Sequence, residues 1–503
     1  MQVTINGSFD LGSLMVHGNL SCPASGDFTL RTSGIHIHGP DAKFECGTPN
    51  SRFSGKLKIS LKAGRERGVM VMNGGTLRLI GALKSPNWVH LAKTANAGDR
   101  EIFLSKAVTW NIGDQVVISP TSYNFNEAEK LTVESILNEG KVIRFTSPLL
   151  HRHWGQREEF NGSRRWLLDQ RAEVANLSRN IMISADGEEA DMDSRGGHVM
   201  VMRGAFAYID SVEFFRMGRM GEMGRYPFHW HRAGDVSGQY IVNSSIHRSF
   251  QRCVTVHGSQ NATVRGNICY DHFGHGYFLE DGDETGNRII RNLGILSRRP
   301  PKGRHLLQSD IDTSNMDRFP GPATFWISNP QNYVSDNIAV GSEGTGFWMS
   351  FIGSLYCEPN FCQLPDATHP ANTYPSREST LQFDRNTARG NAVGMNWDGV
   401  ARGELTGNKN NPNDRLLAIE NYNPRTIPTF NDLSFYKNRA SAIYVRSTTS
   451  IFDRAIFSDN KINIFFAYNQ VVKNSLVMAI SKNHINSDFS YNSEFVGLRI
   501  YDC

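Results

Sequence analysis

The chain has 503 residues, 39% of them hydrophobic, enough for a large core and two or three domains. Its formal net charge is only +4 and its basic residues are scattered, which speaks against a nucleic-acid-binding face and is compatible with an acidic glycan. No run approaches 18 apolar residues, so no membrane span is expected, and residues 1–25 lack the basic start and apolar stretch of a signal peptide.

Forty-six glycines, many asparagines and short apolar alternations predict an all-β chain rich in turns. In chain order, "GIHIHG" (34–39) alternates on a strand with His36 and His38 facing solvent. "NGGTLRLIG" (73–81) is a Gly-rich turn into a strand, and 90–129 continues as alternating strands with Gly-Asp turns. Residues 1–135 are therefore expected to form a β-rich N-terminal domain, with 136–174 as a connection. From 175 to 503 a repeat of about 22 residues takes over. "VNSSIHRSFQRCVTVHG" (242–258) aligns with "VRGNICYDHFGHGYFLEDG" (264–282), and similar units start at Val334, Phe383, Phe430 and Phe452. Asn recurs at one register, at Asn267, Asn292, Asn337 and Asn386, where stacked amides can share hydrogen bonds. Short strands at this period predict a right-handed parallel β-helix, capped by the N-terminal domain against edge pairing.

Of seven cysteines, Cys22 with Cys46 and Cys357 with Cys362 are spaced as loop staples, which implies an oxidising compartment. Cys253 and Cys269 are expected to point inward as small core residues.

The chemistry concentrates in "RYPFHWHRAGD" (225–235) and the two coils after it. Alternate side chains of a strand share a face. With Phe228 and Trp230 inside, His229 and His231 point out. In "CVTVHG" the outward residue is His257, and in "YFLEDG" it is Glu280. Stacked coils thus give an outer row His231–His257–Glu280 at the strand spacing of ~4.8 Å. Glu280 is the candidate general acid and Asp235 its partner for glycoside hydrolysis, with Asp281 the third carboxyl group. A lyase would use the same surface differently, with His231 or His257 as base. Arg225, Arg232 and Arg252 are candidates for binding uronate carboxylates, and His229, His275 and Asp398 complete the binding set. Tyr226, Trp230 and Tyr277 could stack on sugar faces if exposed. Asp310 and Asp312 lie in a long irregular segment and are outside candidates. Two metal sets are open: Glu280, Asp281 and Asp283 for calcium, or His229, His231 and His257 for a transition metal.

Trp88, Leu91, Ala95, Trp110, Gly113-Asp114 and "VVISPTSY" resemble the eight-glycine domain at the front of the cell-migration-inducing and transmembrane hyaluronidase family, a domain also found in fibrocystin-like proteins. "YPFHWHRAGD", "SIHRSFQRCVTVHGS", "FGHGYFLEDGDETGN", "ATFWISNPQNYVSDNIAVGSEGTGFW" and "NTARGNAVGMNWDG" extend the likeness in order over about residues 60–400. The resemblance implies an extracellular, secreted, hyaluronan-directed glycosidase with a β-helical catalytic region, and calcium as its metal. A lyase acting on another uronic-acid polymer and a non-catalytic glycan-binding or adhesion module are the rival readings.

Overall fold

The computed structural model describes residues 2–64, 66–162, 164–311, 321–351, 374–397, 422–445, 449–466, 469–484 and 499–500. Among them, three parallel sheets of 13 strands each run side by side along the chain, and sequence-successive strands pass from one sheet to the next. This is a parallel β-helix. Its interior is a single column of apolar side chains that reaches from Ile5 to Ile464.

The corners explain how so polar a sequence winds so regularly. From Ser211 onward each coil turns between the first and second sheets through one residue with left-handed backbone, at Ser211, Asn243, Gly266, Arg291, Asp336, Arg385, Asp432, Arg454 and Asn474. Next to that corner the asparagines stack as expected. The backbone N–H groups of Asn267, Asn292 and Asn337 donate to the side-chain oxygens of Asn292, Asn337 and Asn386 at 3.0, 2.9 and 3.0 Å. A second ladder, which the repeat alignment does not reveal, runs through Asn391, Asn438 and Asn460.

The boundaries at 135 and 174 are corrected. Residues 2–80 are the first coils of the solenoid itself: Gly34, Gly68 and His198 lie side by side in one sheet, and Thr76 pairs with Phe206. The separate unit is an insertion between Thr76–Ile80 and Ile181–Ala185. It holds a six-stranded antiparallel sheet (Trp88–His90, Glu101–Phe103, Gln115–Ile118, Glu129–Leu137, Val142–Phe145, Glu173–Asn176) and a hairpin of Arg157–Asn161 with Arg165–Asp169. It has its own core around Leu91, Ile118, Ile143 and Val174. The first coils carry no recurring Asn, and the insertion interrupts the period.

Cys22 and Cys46 are joined, as their spacing suggests. Cys253 and Cys269 point inward as expected and, beyond that expectation, are joined to each other. Both point into the coil interior from either side of one corner, with Cα atoms 6.1 Å apart. Cys357 and Cys362 lie outside the described residues, as do Asp312 and Asp398.

Candidate active site

The third sheet carries the strands Phe228–Asp235, Val254–Gln260 and Tyr277–Leu279 as neighbours. Phe228, Trp230, Val254, Val256, Tyr277 and Leu279 fill the central column, so the intervening side chains must leave through the outer wall. His231 registers with His257, and Glu280 continues the row, its N–H donating to the Val256 carbonyl. Trp230 and Tyr277, being in the core, cannot stack on a sugar.

The row is tightly connected. His231 Nδ1 lies 3.2 Å from His257 Nδ1. On its other side His257 Nε2 donates to Asp281 Oδ2 at 2.7 Å. Arg232 Nε sits 3.3 Å from the same His257 nitrogen and cannot donate to it while it donates to Asp281. The register slips between His231 and Gly234, and Arg232 there takes φ of 48°, a bulge that turns the guanidinium back towards His257. The Tyr226 hydroxyl donates to Glu280 Oε1 at 3.0 Å. Glu280 Oε2 is buried without a hydrogen-bond partner, 3.6 Å from His257 Nδ1 and 4.0 Å from His229 Nε2. His229 is fully buried between Tyr226 and His257, its ring centroid 4.8 and 5.7 Å from theirs.

Electrostatics divide these groups. Burial works against charge on His257, but Asp281 and Glu280 outweigh it and push the imidazole up to about 10. Burial, then His257 and Arg232, hold His231 down at about 4. Burial, then the two neighbouring imidazoles, keep His229 well below its ordinary range. Burial also raises the Glu280 carboxyl; His257 opposes this and Asp281 adds to it. His257 is thus the more readily charged of the two, with one N–H towards Asp281 and the other ring nitrogen towards His231.

Several predicted residues lie elsewhere. Asp235 is at the exposed end of its strand, where Ser237 and Asn261 donate to its carboxylate; the acid that meets Glu280 at His257 is Asp281 instead. Arg252 is fully buried, ion-paired with Asp310 at 2.5 Å and packed over Phe278, so it cannot bind a glycan. His275 is buried beside it, contacting Ser309 Oγ at 3.0 Å and accepting from the Ala323 N–H, and is likewise removed from the binding set. Arg225 stays half-buried at the wall and donates to His198 Nε2 at 2.8 Å. Two participants were not anticipated. One is His198. The other is Glu284, which accepts from the N–H groups of Gly258, Asp281 and Gly282 and so fixes the turn that presents Asp281. The run "EDGDE" supplies the acids but does not say which one turns inward. Two concavities, of about 610 and 460 Å³, lie elsewhere and are lined by none of the wall histidines.

The chain is therefore a parallel β-helix protein with a histidine–carboxylate centre on one outer wall. The G8 domain family matches residues 1–92, and the CEMIP beta-helix family matches residues 194–395. It belongs to the family that combines these two units. Protein rliB of Dictyostelium discoideum is 28% identical over 445 residues, 84% of this chain and 37% of that protein. Cell surface hyaluronidase CEMIP2 of Homo sapiens is 30% identical over 442 residues, 76% of this chain and 30% of that protein. Fibrocystin-L of Homo sapiens is 31% identical over 386 residues, 67% of this chain and 9% of that protein. The chain spans a quarter to somewhat over a third of the length of the first curated relatives it matches. Among solved structures, the tailspike protein gp49 from Pseudomonas phage LKA1 covers 88% of this chain and 69% of its own at 10% identity and a TM-score of 0.21, too low to carry an argument. The G8 match falls on the first coils of the solenoid, which places that unit within the helix rather than over its end. Among the described residues no helix is long and apolar enough to cross a membrane.

Proposed function

We propose that this chain cleaves an acidic polysaccharide, with hyaluronan the first candidate, by glycoside hydrolysis at the His231–His257–Glu280 wall. The observation that carries the reading is the Glu280 carboxyl group. Tyr226 occupies one oxygen, and the other is buried and unpartnered beside an imidazole. Burial raises this carboxyl, the direction a group needs if it is to hold a proton and deliver it to a glycosidic oxygen. Asp281 supplies the second carboxyl group and fixes His257, while Arg225 and Arg232 offer charge to uronate carboxylates. The similarity to a relative named as a cell surface hyaluronidase supports the substrate class. Two disulfides fit an oxidising, extracellular setting.

The test is incubation with defined hyaluronan, followed by sizing and mass analysis of the products. Glu280→Gln should lower the cleavage rate by ~10²–10⁴. Products carrying an unsaturated uronate would overturn hydrolysis in favour of a lyase with an imidazole base. Polymer that is bound but never shortened would make the chain a binding module.

A further inference from the structure

We propose that His229, His231 and His257 bind a divalent first-row transition metal ion of the zinc class, with Glu280 beside its open position. The proposal rests on the same wall as the hydrolase reading and deepens it.

The donors are already gathered. Each of the three histidines offers a ring nitrogen, and these atoms lie within 4.8 Å of one another. His231 Nδ1 and His257 Nδ1, at 3.2 Å, have the separation of two ligands on one ion: bonds of ~2.0–2.1 Å at a tetrahedral angle put donors ~3.3 Å apart. The strand pattern makes this unavoidable. Two histidines spaced by one residue share a face, and the third enters from the adjacent coil.

His229 supplies the independent observation. It is entirely buried, and no side chain hydrogen-bonds either ring nitrogen; the one polar neighbour is the Gly224 backbone, and it lies outside good hydrogen-bond geometry. A buried polar group without a good partner is destabilising, and an imidazole carries two such nitrogens. A bound ion removes one of these orphans. The surroundings fit too. A metal-bound histidine characteristically donates its other N–H to a carboxylate, and His257 Nε2 does so to Asp281. The unpartnered Glu280 Oε2, 3.6 and 4.0 Å from two of the nitrogens, borders the position where a fourth ligand would enter. Three imidazoles with one open position form a catalytic rather than a closed structural set. When bound, such an ion supplies a Lewis acid and an activated water; Glu280 remains the group that moves the proton.

Calcium fits this wall poorly. It needs six to eight oxygen ligands. Of the expected acids, Asp281 is committed to His257 and one Glu280 oxygen to Tyr226; Asp283 has a free buried oxygen, but its neighbour Glu284 already accepts three backbone N–H groups and the Ser328 hydroxyl, so the set falls short of that number. A further cluster, Cys253, Cys269 and His272, has its sulfurs in a disulfide and is closed to metal.

The test is cobalt(II) titration of the chelator-treated protein, read by visible absorbance, with elemental analysis of protein purified without chelator. We expect one equivalent bound and a ligand-field band that zinc abolishes by displacement. His257→Gln should remove the band while near-ultraviolet circular dichroism stays native. Asp281→Asn, which keeps every ligand, should weaken binding ~10–100-fold; this second variant keeps the test valid if His257→Gln misfolds. Substoichiometric cobalt with no band overturns the proposal, as does calcium binding that zinc does not displace. Neither result touches the hydrolase reading, which is judged on hyaluronan products. Conversely, a stoichiometric band with uncut hyaluronan would uphold the metal and remove the hydrolase.

Discussion

The inserted sheet is fastened to the solenoid by an apolar seam of Val117 and Ala175 against Ile268 and Ile295 and, beside it, by a buried cation whose removal has a calculable cost. Arg389, on the second sheet, donates to the carbonyls of Gln170 and Arg171, to Ser119 Oγ and to Glu173 Oε2, all from a fully buried position. Burial disfavours the Glu173 carboxylate, yet Arg389, His90 and Ser119 outweigh it and hold the group at about 2 against an ordinary 4.5. That displacement corresponds to roughly 3 kcal/mol. Its sign is that of a depressed acid: the contribution is complete above pH 4.5 and disappears as pH falls towards 2. Arg389→Met leaves the carboxylate buried and uncompensated, so we expect a loss of ~3–5 kcal/mol at neutral pH. Arg389→Met combined with Glu173→Gln removes both charges and should restore most of it. Urea unfolding followed by far-ultraviolet circular dichroism gives the size. Hydrogen exchange in Gln115–Ile118 and Glu173–Asn176 shows whether the inserted sheet opens first. A loss below about 1 kcal/mol, or a double variant no better than the single one, would refute this reasoning.

Other outcomes follow from the same contacts. Asn292→Ala strips the acceptor from the Asn267 N–H and side-chain amide and the donor from Val264 O, and should cost ~3–4 kcal/mol by the same unfolding measurement. Replacing Cys253 and Cys269 together with Ala opens a loop with a sequence separation of 16 and should lower stability by about 3 kcal/mol, measured against the wild type under oxidising conditions. Asp235→Asn should leave hyaluronan cleavage within about two-fold of wild type, in contrast to the ~10²–10⁴ loss for Glu280→Gln, because Ser237 and Asn261 hold that carboxylate at the exposed strand end.

Strand alternation made much of the wall legible. Phe228 and Trp230 inward dictate His229 and His231 outward, and the same rule applied two coils on finds Glu280. The asparagine register marked the middle of the solenoid because each of those amides has to satisfy the next coil. The first coils were not legible. They repeat by hydrophobic alternation alone, a pattern that any β-sheet shares. Arg252 and His275 were misplaced for a different reason. Their partner Asp310 arrives from a long segment that folds over the wall and buries them, and no periodicity announces that cover. Asp281 was one candidate among several acids until Glu284 was seen to pin the turn beneath it.

The asparagine ladder also bears on how such a molecule can change length. Each amide satisfies its neighbour in the same way, so every rung is interchangeable with the next. Gain or loss of a complete winding would therefore leave the lattice of bonds intact and slide the histidine wall nearer to one end of the rod. A residue added beside the amide itself would throw the ladder out of step, whereas the rest of each winding can lengthen freely: successive rungs already lie 25, 45 and 49 residues apart.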